Sequence, residues 1–392
     1  MKVLLIHNYY QQSGGEDQVV QNEIDMLRNK GHIVELFKMS NDKLNNLNIL
    51  EKMGLFINTI WSVSSYKSVL NKINTFNPDI VHFHNFFPLI SPSAYYACKK
   101  KGKAVVQTLH NYRLVCPAAT FLRDGNICEK CLEEGLGNAI KYKCYRNSST
   151  QTATIVSMLQ LNKSFKTWTN KVDKYICLTN FAKEKMSEGG IPKDKIIVKP
   201  NFIESKHQLN LNRENYILFV GRISEEKGLE VLLSSWMKLT NKRDMKLIII
   251  GDGPEKNILE EKYKDDTVVF KGKKSSEEVL SYMKRAKFLV MPSIWYEGFP
   301  MTIVEAYSVG TPVIASNIGS LKEIVKDDVS GYQFINRDIE DLTDVLDKAI
   351  NNKNIDRLII NSHHEYKTKY SKEINYNFLS NIYTNLIGDK CE

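Results

Sequence analysis

Short apolar runs recur along the chain, each followed by a stretch with helical periodicity. The first series is KVLLIH from Lys2, IVELFK from Ile33, IVHFH from Ile80, AVVQT from Ala104, KYICL from Lys174 and IIVK from Ile196. After a break the pattern restarts with YILFVG from Tyr216, KLIII from Lys246, TVVF from Thr267, FLVM from Phe288 and PVIA from Pro312. Runs this short and this apolar predict parallel strands covered by helices on both faces. Two such series predict an α/β chain of two doubly wound, Rossmann-like halves. The joint falls in SKHQLNLNREN, residues 205–215, which is polar and aperiodic. Near the end, Ile374, Phe378, Leu379, Ile382, Leu386 and Ile387 repeat at helical spacing. The predicted division is 1–204, 205–373 and a closing helix at 374–392. Residues 112–147 lack the periodicity of a third domain and read as an insertion into the first. Residues 50–73 are amphipathic, and their Phe56, Ile60 and Trp61 are open to packing or to contact with an acceptor or a membrane.

Composition narrows the partners. The 392 residues are 42% hydrophobic and 25% charged, with a mean hydropathy of −0.33. No apolar run approaches the roughly 18–20 residues that span a bilayer, and the N-terminal run is too short for a signal peptide. A cytoplasmic protein, with peripheral attachment to the inner membrane face as an option, is expected. The formal charge of +9 suits an anionic partner such as phosphate or an acidic membrane. No nucleic-acid-binding pattern accompanies it, so nucleic acid is not expected. The patch Lys99–Lys103 (KKKGK) reads as a solvated helix end or as a lipid contact. Four of the seven cysteines, Cys116, Cys128, Cys131 and Cys144, cluster around a C-x2-C knuckle. They are either reduced thiols or the four ligands of a structural zinc, which would staple a loop without taking part in catalysis.

Each half opens with a strand running into a glycine-bearing loop. In the first, Gly14 and Gly15 precede a helix start, where backbone N–H groups can approach a phosphate. The sequence there is not G-x-G-x-x-G, which argues against a dehydrogenase. In the second, Gly221 is followed by Arg222 and Lys227, two cations on the carboxyl-terminal rim of a parallel sheet. Further rim loops carry Gly251, Asp252, Gly253 and Pro254, and then Gly272, Lys273 and Lys274. The richest is WYEGFPMTIVEA, Trp295–Ala306. Pro300 suits a helix start, and the N–H groups of Gly298, Phe299 and Met301 would face an anion. Glu297 and Glu305 sit on either side of that turn. One reading has them hold hydroxyls at the two ends of a sugar nucleotide. A glycosidase pair or a helix cap are the others, and a glycosidase would have no use for the neighbouring cations. In the first half, His110 ends a strand at the rim and is a ligand candidate; His82 reads as core and His84 is open.

The segments FVGRISEEKG, GDGP, FKG and YEGFPMTIVEA, in this order, resemble the C-terminal domain of retaining glycosyltransferase family 4, with its GT-B fold of two Rossmann-like domains facing a central cleft. SGGE, TLHNYR and KPNFIE extend the resemblance over nearly the whole chain. It implies metal-independent sugar transfer from a nucleoside diphosphate sugar, with no cofactor required for catalysis. A UDP-sugar is the favoured donor and a GDP-sugar the alternative. The resemblance implies that Arg222 and Lys227 bind the diphosphate, Glu305 the ribose, and Glu297 with the Phe299 region the donor sugar. Gly15 would admit the phosphates, His110 would meet the sugar hydroxyls, and the base would lie by Lys273. His110, Glu297, Arg222 and Lys227 are thus the expected catalytic set. Gly14, Gly251, Gly253, Gly298, Pro300 and Met301 complete the donor site. The final helix would cross back to the first domain. The cysteine-bearing insertion resembles that of bacterial members that build surface polysaccharides, which implies a saccharide or lipid-linked saccharide acceptor. A non-catalytic nucleotide-sugar-binding protein and a glycoside hydrolase are the alternatives.

Overall fold

The computed structural model describes residues 1–10, 14–41, 49–205, 207–242 and 244–388. Ser13 of the first glycine loop and Lys206 of the 205–215 segment lie outside them. The described strands are β1 (Lys2–Tyr9), β2 (Ile33–Ser40), β3 (Ile80–Asn85), β4 (Ala104–Leu109), β5 (Leu122–Arg123), β6 (Asn126–Ile127), β7 (Lys174–Cys177), β8 (Ile196–Val198), β9 (Tyr216–Val220), β10 (Lys246–Ile250), β11 (Val268–Phe270), β12 (Phe288–Met291), β13 (Val313–Ser316) and β14 (Gly331–Phe334). All eleven apolar runs became strands. The sequence reading missed β14, whose GYQF interrupts the apolar run with glycine and glutamine, and the two-residue strands β5 and β6.

The chain divides into two compact units. The first comprises Met1–Phe121, Cys128–Asn201 and Asn375–Glu392, and the second Leu122–Ile127 and Phe202–Ile374. Each holds one six-stranded parallel sheet, ordered β2-β1-β3-β4-β7-β8 in the first and β11-β10-β9-β12-β13-β14 in the second. This is the doubly wound order expected, since each sheet reverses direction beside its first strand. The sheets are buried on both faces: β3, β4, β12 and β13 have no exposed position. In the second unit the sheet is covered on one face by a cluster around Trp236, Phe288 and Leu342, and on the other by one around Leu289, Tyr307 and Ile324.

Residues 50–73 form two helices, Ile49–Ile60 and Val63–Phe76, broken at Ser62, whose hydroxyl caps the second by accepting from Ser65 N–H. Phe56, Ile60 and Trp61 are half-buried, and the Trp61 ring lies edge-on to Tyr96 at 4.9 Å. Within the lysine patch, Lys99 is committed to Asp173 at 2.7 Å. The insertion consists of the β5–β6 hairpin and two short helices, Lys130–Glu133 and Gly137–Lys141. The hairpin packs with the second unit, where Arg337 donates to the side chain of Asn126 at 3.3 Å. The closing helix runs Lys372–Gly388. No helix among the described residues is long and apolar enough to cross a membrane.

Candidate active site

In a parallel sheet, all strands deliver their following loops to one rim, so the rim of the second unit gathers the residues singled out there. The loops are pinned to each other through the backbone. Ile223 N–H donates to Asp252 O at 2.9 Å, Gly251 N–H to Gly272 O at 3.0 Å, and Ile294 N–H to Glu226 O at 3.0 Å. Gly251 has φ +152°, and a Cβ there would lie 1.8 Å from Gly221 O; at Gly253 it would lie 2.1 Å from Ile223 O. Packing of the loops alone therefore demands both glycines.

Lys227 and Glu297 meet on this rim, with Nζ 2.7 Å from Oε1. Ser293 Oγ donates to the same oxygen at 2.7 Å, and Lys227 also lies 5.4 Å from the centre of the Trp295 ring. Glu297 is buried. Burial by itself would raise its carboxyl, but the Lys227 ammonium and the hydrogen bonds outweigh it and hold Glu297 below the usual range. A second tether comes from Ser320, whose hydroxyl donates to the backbone oxygens of Glu297 at 2.7 Å and Gly298 at 3.3 Å. Pro300 is the N-cap of the helix Met301–Ser308, one position earlier than its expected place in the first turn.

Glu305 contrasts with Glu297. It is half-buried in the first turns of that helix and burial raises its carboxyl; its backbone oxygen accepts from Ser308 Oγ at 2.7 Å, but its carboxylate makes neither hydrogen bond nor ion pair with another described residue. Arg222 and Lys273 are exposed, also without an ion-pair partner among described residues. On this rim Arg222 and Lys273 thus have no ion pair among the described residues, Lys227 is paired with Glu297 and Lys274 with Glu278, and the Glu305 carboxylate lies in the helix that begins there.

The first unit's rim is built differently. Glu23, on the helix Gly15–Asn29, is 1% exposed and receives three groups. His84 Nε2 lies 3.1 Å from its Oε1, His82 Nδ1 3.1 Å from the same oxygen, and Lys199 Nζ 3.5 Å from Oε2. Tyr383 OH closes the ring by meeting His82 Nδ1 at 2.7 Å, and Thr108 holds His82 Nε2 at 2.7 Å. Burial opposes ionisation of Glu23, yet the surrounding His84, His82 and Lys199 hold its carboxyl well below its usual value. Burial conversely takes His84 down to about 4 and His110 well below its ordinary range, so both rings are neutral at pH 7.

This chain fixes a proton arrangement. An ionised carboxylate only accepts, so His84 Nε2 carries the hydrogen toward Glu23. The Nδ1 of neutral His84 is then a lone pair, and His110 Nε2, 3.0 Å away, must donate to it. The rings are 5.3 Å apart and only 19° from coplanar, consistent with this edge-to-edge bond. His110 is left with an Nδ1 lone pair as its outward acceptor. Sequence reading found His110 but missed Glu23. The available clue was its place at i+4 from Val19 and i+3 from Val20, on the apolar stripe of its helix. His82 is core, as expected, and His84 proves to be the bridge. Glu23, His82 and His84 are also the one group of three or more such side chains gathered at metal-ligand spacing among the described residues; Lys199 already supplies the positive charge there. Gly14 caps the helix Gly15–Asn29 at φ −124°, and a Cβ on it would meet nothing within 4 Å, so the fold itself does not require glycine. The four insertion cysteines form no disulfide with a described residue, and no three of them are gathered at metal-ligand spacing. Cys131 is pushed up to about 12 by burial and by the fields of Cys116, Cys144 and Cys128.

Two family models cover most of the chain: "Glycosyltransferase Family 4" over residues 13–207 and "Glycosyl transferases group 1" over residues 201–367. The chain belongs to the glycosyltransferases. An uncharacterized glycosyltransferase of Methanocaldococcus jannaschii is 27% identical over 379 residues, 95% of each chain. The capsular polysaccharide biosynthesis glycosyltransferase CapM of Staphylococcus aureus is 26% identical over 228 residues, 55% of this chain and 59% of that one. Among solved structures, Anabaena HepE in complex with UDP and glucose superposes with a TM-score of 0.64 at 14% identity, covering 98% of this chain and all of the other. The glycosyltransferase accordingly has the GT-B type of fold, and neither a dehydrogenase nor a glycoside hydrolase is its class.

Proposed function

We propose that this glycosyltransferase moves a sugar, with retention of anomeric configuration, from a nucleoside diphosphate sugar to a saccharide or lipid-linked saccharide acceptor in cell-surface polysaccharide synthesis. The observation that carries the donor assignment is the Glu305 carboxylate, without a partner among the described residues, on the same rim as Arg222, Lys227 and Lys273. A carboxylate that lost hydration without gaining a partner is stabilised by a ligand offering two hydroxyls, as a ribose does. Arg222 and Lys227 hold the diphosphate, and their charge is most valuable as the leaving group gains negative charge. Lys227 begins in a pair with Glu297, so diphosphate binding draws on an ammonium already held at the rim. Glu297 holds the donor sugar, the base lies by Lys273, and the Nδ1 of His110 accepts from a sugar hydroxyl. In the transfer, the acceptor oxygen bonds to the anomeric carbon on the face from which the phosphate oxygen departs. The acceptor's proton passes to that oxygen, which needs neither a metal nor a protein nucleophile. The complex of HepE with UDP, and the capsular assignment of CapM, support a UDP-sugar and a surface polysaccharide. The basic charge and the absence of any membrane-spanning helix among described residues are consistent with work on the cytoplasmic side of a membrane.

A thermal-shift panel of UDP, GDP, ADP and dTDP tests this reading. One nucleotide stabilises the protein and loses its effect in Glu305→Ala; a shift that survives the substitution removes Glu305 from the donor site. A structural zinc held by the four cysteines is proposed on their C-x2-C spacing alone, and binding would have to draw the thiolates together. Metal analysis should find about one zinc per chain, and none would leave them as reduced thiols.

A further inference from the structure

The first unit contains a cavity of about 500 Å³ that the donor site does not use. Tyr10, Phe87 and Arg113, which follow β1, β3 and β4, place it on the carboxyl-terminal rim of the sheet, where open α/β folds bind ligands. Its far wall comes from the helix Ile49–Ile60 through Phe56 and from the insertion through Tyr145 and Arg146.

The wall is a cluster of rings and guanidiniums, in which the Phe87 and Tyr145 rings meet edge to face at 5.9 Å. Arg113 lies 4.5 Å from the centre of Phe87 and 5.1 Å from that of Tyr145, and Arg146 lies 5.4 Å from the centre of Tyr145. Arg113 is anchored by donating to Pro117 O at 2.6 Å, which leaves most of its fork of donors unspent. Neither arginine has an ion pair among the described residues. The carboxyl that feels Arg113, that of Glu16, is pushed up to about 8 by burial and by Asp17, so it compensates little of this charge at pH 7. Arginines held against aromatic rings in this way are positioned for the two oxygens of a phosphate or carboxylate, while the apolar part of the wall suits the faces of sugar rings.

We infer that this cavity is the acceptor site, and that the acceptor is a saccharide bearing an anionic group, phosphoryl or carboxylate, held by Arg113 and Arg146. The inference rests on the glycosyltransferase reading for the word acceptor, but the binding chemistry stands on the cavity alone.

Binding is measured by saturation-transfer NMR with α-glucose 1-phosphate, glucuronic acid and glucose, each in the presence of saturating UDP to occupy the donor's phosphate site. At least one charged sugar should bind about tenfold or more tightly than glucose, and Arg146→Ala should remove about that factor. Arg146 is exposed, so this variant should fold, and an unchanged thermal shift with UDP verifies that it does. Preference for the phosphate over glucuronic acid identifies a phosphoryl group, and the reverse an acidic sugar. Charged sugars that bind no better than glucose, or as well to Arg146→Ala as to the parent, overturn the inference. If UDP itself fails to bind, the donor reading has failed separately; the arginine-dependent binding, then measured without UDP, still decides this one.

Discussion

The two rims are built from the same architecture and spend their charges in opposite ways. In the first unit Glu23, His82, His84, Lys199 and Tyr383 satisfy one another under cover, and only the far end of the chain, His110, reaches outward. In the second, the side chains of Arg222, Lys273 and Glu305 have no ion pair among the described residues, and the buried pair there is Lys227 with Glu297. A satisfied buried network is worth stability and holds one proton arrangement. Unmet charges beside a helix start cost stability until a ligand arrives. The contrast teaches where a substitution should damage folding and where it should damage only binding.

The largest expected effect is on turnover. Arg222→Ala with Lys227→Ala should lower sugar transfer by about three orders of magnitude or more, measured with the donor that the nucleotide panel selects. Because Glu297 is buried, losing Lys227 also leaves an uncompensated charge, at a cost of about 3 kcal/mol. Adding Glu297→Gln should restore most of the stability and none of the activity. Activity surviving the double change at the cations would break the clamp assignment.

Next comes Glu23→Ala, which strands Lys199 and removes the acceptor that orients His84. We expect about 3–4 kcal/mol of destabilisation in urea unfolding. Glu23→Gln is gentler and sharper. Its amide can also donate, so the tautomer of His110 is no longer fixed, and imidazole ¹⁵N shifts should report a mixture. An unchanged tautomer would mean that the network does not orient His110.

The same network predicts a pH dependence. The folded-state value of His84 lies at about 4, below its ordinary 6.5. Its contribution is therefore fully present above about pH 6.5 and is lost as pH falls toward 4, because the unfolded chain takes up the proton first. The loss is about 3 kcal/mol, and it should be absent from His84→Gln, if that variant folds, when unfolding is followed between pH 7 and 4.5. A parallel decline in the variant would assign the acid sensitivity elsewhere.

The smallest effect on folding belongs to Glu305→Ala. With no partner to strand, its unfolding free energy should move by under about 0.5 kcal/mol, while the nucleotide-induced thermal shift disappears. A large loss of stability would instead make Glu305 part of the scaffold.

Much of this was legible in the linear chain, and the reason is periodicity. Parallel strands buried on both faces must be short and apolar throughout, so eleven runs marked eleven strands. GYQF at Gly331–Phe334 escaped because one glycine and one glutamine break the run, although its neighbour β13 buries it. The rim residues Arg222, Lys227, Glu297 and Glu305 were legible because each follows a strand end, and topology brings all strand ends of a parallel sheet to one side. Glu23 was not, because a glutamate in a helix looks solvated until its neighbours are known. Phe56 and Trp61 looked open in sequence, yet one lines the cavity and the other packs on Tyr96.

The sequence by itself determined the fold class, the two-unit division and the identity of the charged groups on the second rim, since these follow from local pattern and from the order of strands. Only the tertiary structure decided which charges are paired. Lys227 and Arg222 are equivalent cations in sequence, but one is bound to Glu297 across 70 residues and the other has no ion pair among the described residues. The histidine network likewise joins β3, β4, the end of β8 and the closing helix, up to 301 residues apart. Pairing and burial depend on distances between segments remote along the chain, and those distances exist only once the sheets have formed.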